Sequence, residues 1–158
     1  MRVTAKVDDH GATKRFDVMP QVLDAAVRKA VAKLSGEAQR EMTGTEGLSK
    51  FGRHDRGTKT PSPPGEPPAQ VSTMLRRTVT MMPTRRIGFA HYTQDTMPTM
   101  VYARIQELGG VVRLPNGGMA IIPARPFVAP ARRRLTANGR ATRIFREQIV
   151  KELMRRGR

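Results

Sequence analysis

The sequence predicts an α+β domain: a small, mostly antiparallel sheet covered on one face by a long N-terminal helix, with a basic C-terminal helix and a long extended loop. Three observations predict it. Residues 18–43 keep apolar side chains at helical spacing for about seven turns. Several short β-branched or alternating stretches lie between Gly and Pro breaks, and residues 44–70 show no periodicity at all. At 158 residues the chain reads as a single domain, long enough to bury a core without staples.

Residues 2–8 alternate, with Val3, Ala5 and Val7 on one side, as a half-buried strand does, and Asp9-His10-Gly11 ends them. The period then changes. Val18, Leu23, Val27, Ala30, Val31, Leu34, Ala38 and Met42 form a helical stripe with Lys29, Lys33 and Arg40 opposite, and Pro20 suits the first turn, where its missing N–H is not needed. Ser35-Gly36 is a place for a bend or for a close backbone neighbour. From Thr43 the composition turns to Gly, Ser, Thr, Pro and charge, giving a loop or arm over 44–70 that is either disordered or ordered by a partner. Leu48 and Phe51 are its apolar residues and therefore its candidate anchors; Pro63-Pro64 and Pro67-Pro68 stiffen its end.

Ser72 or Thr73 caps a short turn at 74–77, and residues 78–82 and 85–90 read as two strands that pair as a hairpin around Pro83-Thr84, with Ile87 and Phe89 on one face. Residues 91–99 read as a connecting loop. Tyr102, Ile105 and Leu108 recur every three residues, a short helix stopped by Gly109-Gly110. Residues 111–114 and 119–122, separated by Pro115-Asn116-Gly117-Gly118, form an antiparallel hairpin. Pro123, Pro126 and Pro130 cannot donate to a ladder, so the chain leaves the sheet after Ile122, with Phe127 and Val128 as apolar anchors. A helix or turn follows at 131–135, Asn138-Gly139 interrupts, and residues 140–158 carry the basic helix, with Ile144 or Phe145, Ile149 and Leu153 as its stripe. Five strands result.

The stretch VYARIQELGG, the hairpin, IPARPFVAPA and the basic helix, preceded by PPGEPP and LRRTV, resembles the small neck and tail-completion proteins of tailed bacteriophages. That family includes the lambda-type minor tail protein Z and the Mu-type virion morphogenesis proteins. The resemblance runs from about Pro63 to the C-terminus and lies in the order of the motifs; Ser72-Thr73-Met74 stands where the family usually has Thr-Gly. It implies a tail-terminator-like fold and a non-enzymatic virion protein at the head-to-tail junction. It further implies a homo-oligomeric ring, six-fold like the tail, in contact with other neck, connector and tail-tube proteins and with packaged double-stranded DNA bound without sequence specificity. The candidate subunit contacts are Leu48, Phe51, Pro63, Pro64, Pro126 and Phe127. The candidate contacts to DNA or to an acidic partner are Arg132, Arg133, Arg134, Arg140, Arg143, Lys151, Arg155 and Arg156.

Composition narrows the alternatives. A net charge of +16 is concentrated from Arg125 onward, where eleven basic residues, Arg125 included, face only Glu147 and Glu152, and arginine, suited to phosphate and carboxylate forks, predominates. A polyanionic or acidic neighbour follows; a solvated basic helix is the plainer alternative. The absence of cysteine excludes disulfides and Cys-based zinc or redox sites. His10, His54 and His91 are far apart with no ligand spacing, Asp8-Asp9 reads as a solvated strand end, and no phosphate loop or hydrolase elbow occurs. These features predict no enzyme, no cofactor and no metal. A polar N-terminus and the lack of long apolar runs predict a soluble protein with no membrane contact, made in the host cytoplasm. Scarce aromatics argue against a single-strand stacking platform. Met74, Met81, Met97, Met100 and Met119 fall where core positions are expected. Two other classes remain: an architectural DNA-binding protein, and an assembly chaperone absent from the finished particle.

Overall fold

The computed structural model describes residues 1–6, 19–48, 62–69 and 73–156, without the side chains of Lys6, Met19 and Arg156. Val7, Asp8, Asp9, His10, Val18, Phe51, His54 and Ser72, named above, lie outside the described residues. The chain is α+β, as the sequence predicts, but where one domain was expected it gathers into two compact units. The first comprises residues 1–38, 81–96 and 135–158; the second comprises residues 39–80 and 97–134.

The first unit is a helix laid on a sheet. Strand β1 (Arg2–Lys6) runs antiparallel to β4 (His91–Pro98), with Val3 opposite Gln94 and Ala5 opposite Tyr92. Helix α1 (Met19–Thr43) buries Val27 and Val31 against Ala90 and Tyr92, and Val3, Ala5 and Leu23 close the edges of that cluster. The predicted stripe holds throughout its described length, and Lys33 and Arg40 face solvent. Gly36 admits no close backbone: a Cβ there would meet only the Met81 sulfur at 4.0 Å.

The middle of the chain departs from expectation. Strands β2 (Val79–Met81) and β3 (Arg85–Gly88) do not pair with each other; the sheet order is β1-β4-β2, and β3 also joins β4. Residues 91–98, expected as a loop, are thus the central strand. Its Thr93, Gln94 and Thr96 are buried although polar, Gln94 donating to the Met82 carbonyl at 2.7 Å and Thr96 donating to that of Ser35 at 3.4 Å. At Gln94 and Thr96 hydrogen bonding replaces hydrophobicity, while the Thr93 hydroxyl is buried without a partner among the described residues, and no apolar alternation marks the strand. Ile87 and Phe89, read as sharing one face of the strand, are both exposed, as are Met74, Met81, Met97 and Met119, where core positions were expected; of the five methionines only Met100 packs on a core.

Helix α5 (Arg140–Arg156) packs Phe145 and Ile149 on the same cluster as Val27. The buried Glu152 accepts from Lys29 at 2.5 Å. Asn138, at a left-handed φ of 51°, makes the predicted break before it.

Asp24, on α1, ties down the β3–β4 turn. Its carboxylate accepts from the Tyr92 hydroxyl at 2.6 Å, the Ala90 N–H at 2.9 Å and Arg86 at 3.3 Å. Burial opposes its ionisation, yet these donors and the Arg86 charge prevail and hold its carboxyl below the ordinary value of 3.8. Burial, with Asp24 beside it, pushes the Tyr92 hydroxyl up.

In the second unit Met42, Leu48, Leu75, Val79, Ala103, Phe127 and Ala131 form one cluster, lined by Met100, Tyr102 and Val128. The end of α1, α2 (Met74–Arg77), α3 (Ala103–Leu108) and α4 (Val128–Thr136) supply it. Strands β5 (Gly110–Arg113) and β6 (Met119–Ile122) form a separate two-stranded sheet, which makes six strands among the described residues rather than five.

The Asp24 carboxylate contributes stability above its ordinary pKa and loses it as pH falls through the depressed folded value. Asp24→Asn should therefore lower the unfolding free energy at neutral pH by about 1–3 kcal/mol. It should also flatten the acid limb of stability, checked by urea melts from roughly pH 2 to 7.

Candidate functional site

Three stretches that the sequence singled out meet in the second unit. Residues 62–66 form a turn whose Gly65 N–H donates to the Ala124 carbonyl at 2.9 Å. Arg125 donates its Nε–H to the Ser62 carbonyl at 2.8 Å and its backbone N–H to that of Gln106 at 2.6 Å. Beside it, the Glu107 carboxylate accepts from the backbone N–H groups of Phe127, Val128 and Ala129 at 2.7, 2.9 and 2.9 Å. These are orphan donors at the start of α4, where a negative charge is favoured. Pro130 lies in that first turn and needs no N–H.

The clamp fixes the base of the β5–β6 hairpin. Gly109 has a φ of 70°, and a Cβ there would stand 2.8 Å from the Ala124 nitrogen, so the two legs approach only over glycine. The ladder pairs Gly110 with Ile122, Val111 with Ile121, Val112 with Ala120 and Arg113 with Met119. Leu114 donates to the Gly118 carbonyl at 2.8 Å and Gly117 to that of Leu114 at 3.0 Å, so the loop is one residue shorter than the four expected. Its Gly117 has a φ of 82°, as the third position of such a loop requires.

Val112, Ala120 and Ile122 turn to the half-buried face, and Val111, Met119 and Ile121 to the other, where they are 55%, 71% and 82% exposed. Arg113 is the one charge among them, and no third strand joins this sheet among the described residues. A two-stranded hairpin is marginal by itself, and an apolar outer face beside open edges is a surface normally covered. Leu108, expected on the packed stripe of α3, is 65% exposed.

The residues named for subunit contact are placed differently. Leu48 is 3% exposed and Phe127 0%, both inside the second unit's own core, which corrects their reading as anchors on a neighbour. Local geometry explains Leu48. After α1 the chain turns over Gly44 and Gly47, and Leu48 donates its N–H to the Met42 carbonyl at 2.8 Å. A Cβ on Gly47 would fall 2.2 Å from that same oxygen. Pro63 and Pro64 are exposed and Pro126 is half-buried.

The basic residues divide between the two units. Arg132, Arg133 and Arg134 belong to the second unit; Arg140, Arg143, Lys151, Arg155 and Arg156 belong to the first. Arg134 is bound to Glu41 through its Nε at 2.8 Å and to the Glu41 carbonyl at 2.9 Å, and Arg140 approaches Glu37 at 3.6 Å, so both serve internal ion pairs. Arg143, Lys151 and Arg155 face solvent on α5, as does Arg146, which sequence reasoning left off the list; Arg132 and Arg133 are exposed on α4. The outer hairpin face was also missed. Its signal was legible, since Met119, Ala120, Ile121 and Ile122 are apolar in succession and a strand apolar on both sides needs cover on both.

No family model, curated protein or solved structure matches this chain. Among the described residues no helix is long and apolar enough to cross a membrane, and no group of three or more His, Asp or Glu side chains is placed to hold a metal ion.

Leu48→Ala should cost about 2–4 kcal/mol of unfolding free energy, as deletion of a buried leucine does. Urea denaturation of the purified chain checks it; a change below about 0.5 kcal/mol would restore Leu48 to the surface.

Proposed function

We propose that this chain is a non-enzymatic structural protein of a tailed bacteriophage, one subunit of a ring, six-fold like the tail, around the DNA channel at the head-to-tail junction. The observation that supports it is the presence of two uncovered surfaces of opposite character. The first unit presents Arg143, Arg146, Lys151 and Arg155 on α5, and the second presents an apolar hairpin on a clamped base. Solvent-facing arginines suit a polyanion or an acidic protein, whereas a bare apolar sheet face suits a protein neighbour. A ring needs both a repeated subunit contact and a tolerance for DNA in its bore. The order of the motifs from PPGEPP to the basic helix supplies the phage context by resemblance. The mechanism is then assembly: closing the tail end, or joining it to the filled head.

Mass spectrometry of washed, intact particles should find this chain, and a reconstruction of the neck should show it as a closed ring. Absence from such particles would favour an assembly chaperone instead. A salt titration with free duplex separates the architectural alternative, for which log affinity falls with log salt by about 0.9 per phosphate contacted.

A further inference from the structure

The geometry points to the outer face and free edges of the β5–β6 hairpin as the surface that packs on a second copy of this chain. This deepens the ring reading and rests on it only in taking the neighbour to be an identical subunit. Val111 pairs with Ile121 and Arg113 with Met119, so these four side chains form one continuous outer surface. Their backbone groups face outward as well. With Leu114 bonded to Gly118, the alternation of an antiparallel ladder directs the N–H and C=O groups of Val111, Arg113, Met119 and Ile121 away from the partner strand, and among the described residues no strand takes them up. A strand of another chain added along such an edge continues the sheet, and the body of that chain is then placed to lie over the apolar face.

Charge selects the occupant. A polyanion or an acidic protein is drawn to the cations of α5 and gains nothing from Val111, Met119 and Ile121. Two copies carrying +16 each repel over most of their surface and meet at least cost where charge is scarcest. The outer hairpin face, with Arg113 alone among apolar side chains, is such a place, and cores of subunit contacts are depleted of charge in the same way. The three apolar side chains leave on the order of 350 Å² in water, as large as the biggest patch of an ordinary monomer. That is nearly half of the roughly 800 Å² each partner gives to a stable contact, and edge pairing adds to it. Leu48 and Phe127 are buried and are not available for this role.

Sedimentation velocity over a range of concentrations, run on the full chain and on the double variant Met119→Asp with Ile121→Asp, tests the assignment. The unmodified chain should associate and the variant should do so at least about tenfold more weakly, as the loss of a central contact predicts. A second measurement does not depend on how the charged variant folds. The chain has no cysteine, so Ile121→Cys introduces a single thiol, whose reaction with a maleimide should slow as protein concentration rises. The same thiol placed by Thr142→Cys on the exposed side of α5 should react at a constant rate. An associated wild-type chain whose double variant associates equally well, with the thiol at position 121 reactive at every concentration, overturns this assignment and leaves the ring reading standing. A wild-type chain that is monomeric throughout overturns both.

Discussion

The Glu107 carboxylate is the constraint on which the second unit depends. The stretch from Pro123 to Pro130 must start a helix without its own cap, because Ala124-Arg125-Pro126-Phe127 offers no Ser, Thr, Asp or Asn. The acceptor therefore comes from elsewhere in the chain, and Glu107, at the end of α3, receives three N–H groups at once. That bond set brings the chain back to α3 after the hairpin. It also lays Phe127 into the cluster with Met42, Leu75 and Ala131. The hairpin is what remains between two fixed ends.

The first unit uses the same device. Asp24 of α1 takes up the Ala90 N–H, and Ala90 sits at a φ of 46°, a left-handed conformation that an alanine does not adopt freely. The carboxylate thus offsets backbone strain at the turn that delivers β4 to the sheet. Other acids are engaged as well: Glu41 binds Arg134, the buried Glu152 binds Lys29, and Asp95 binds Arg2 at the surface. In a chain with 13 acidic and 29 basic residues, internal engagement of the acids leaves cations to dominate the outside. The basic surface of α5 is in this sense a result of how the fold is held together.

Two exposed features then have different chemistry. Cations on α5 act at a distance and are weakened by salt, whereas the hairpin face acts only in contact and is not weakened by it. A chain with both can be attracted by a polyanion and still form a specific protein contact through another surface. A contact built from the same arginines would compete with the phosphates of a polyanion for them.

Local chemistry alone determined much of this protein. The stripe of α1, the breaks at Gly109 and Asn138, the β5–β6 hairpin and the packed side of α5 follow from periodicity and turn residues, which act within a few positions of one another. Long-range pairing decided the rest. Residues 91–98 became the central strand because Gln94 and Thr96 found distant acceptors, and no apolar pattern announces a hydrogen bond. Leu48 and Phe127 went inside and Met119 and Ile121 stayed outside, although all four are equally apolar in the sequence. Hydrophobicity states what burial would gain, but only the packed chain decides which side chains have neighbours to bury them.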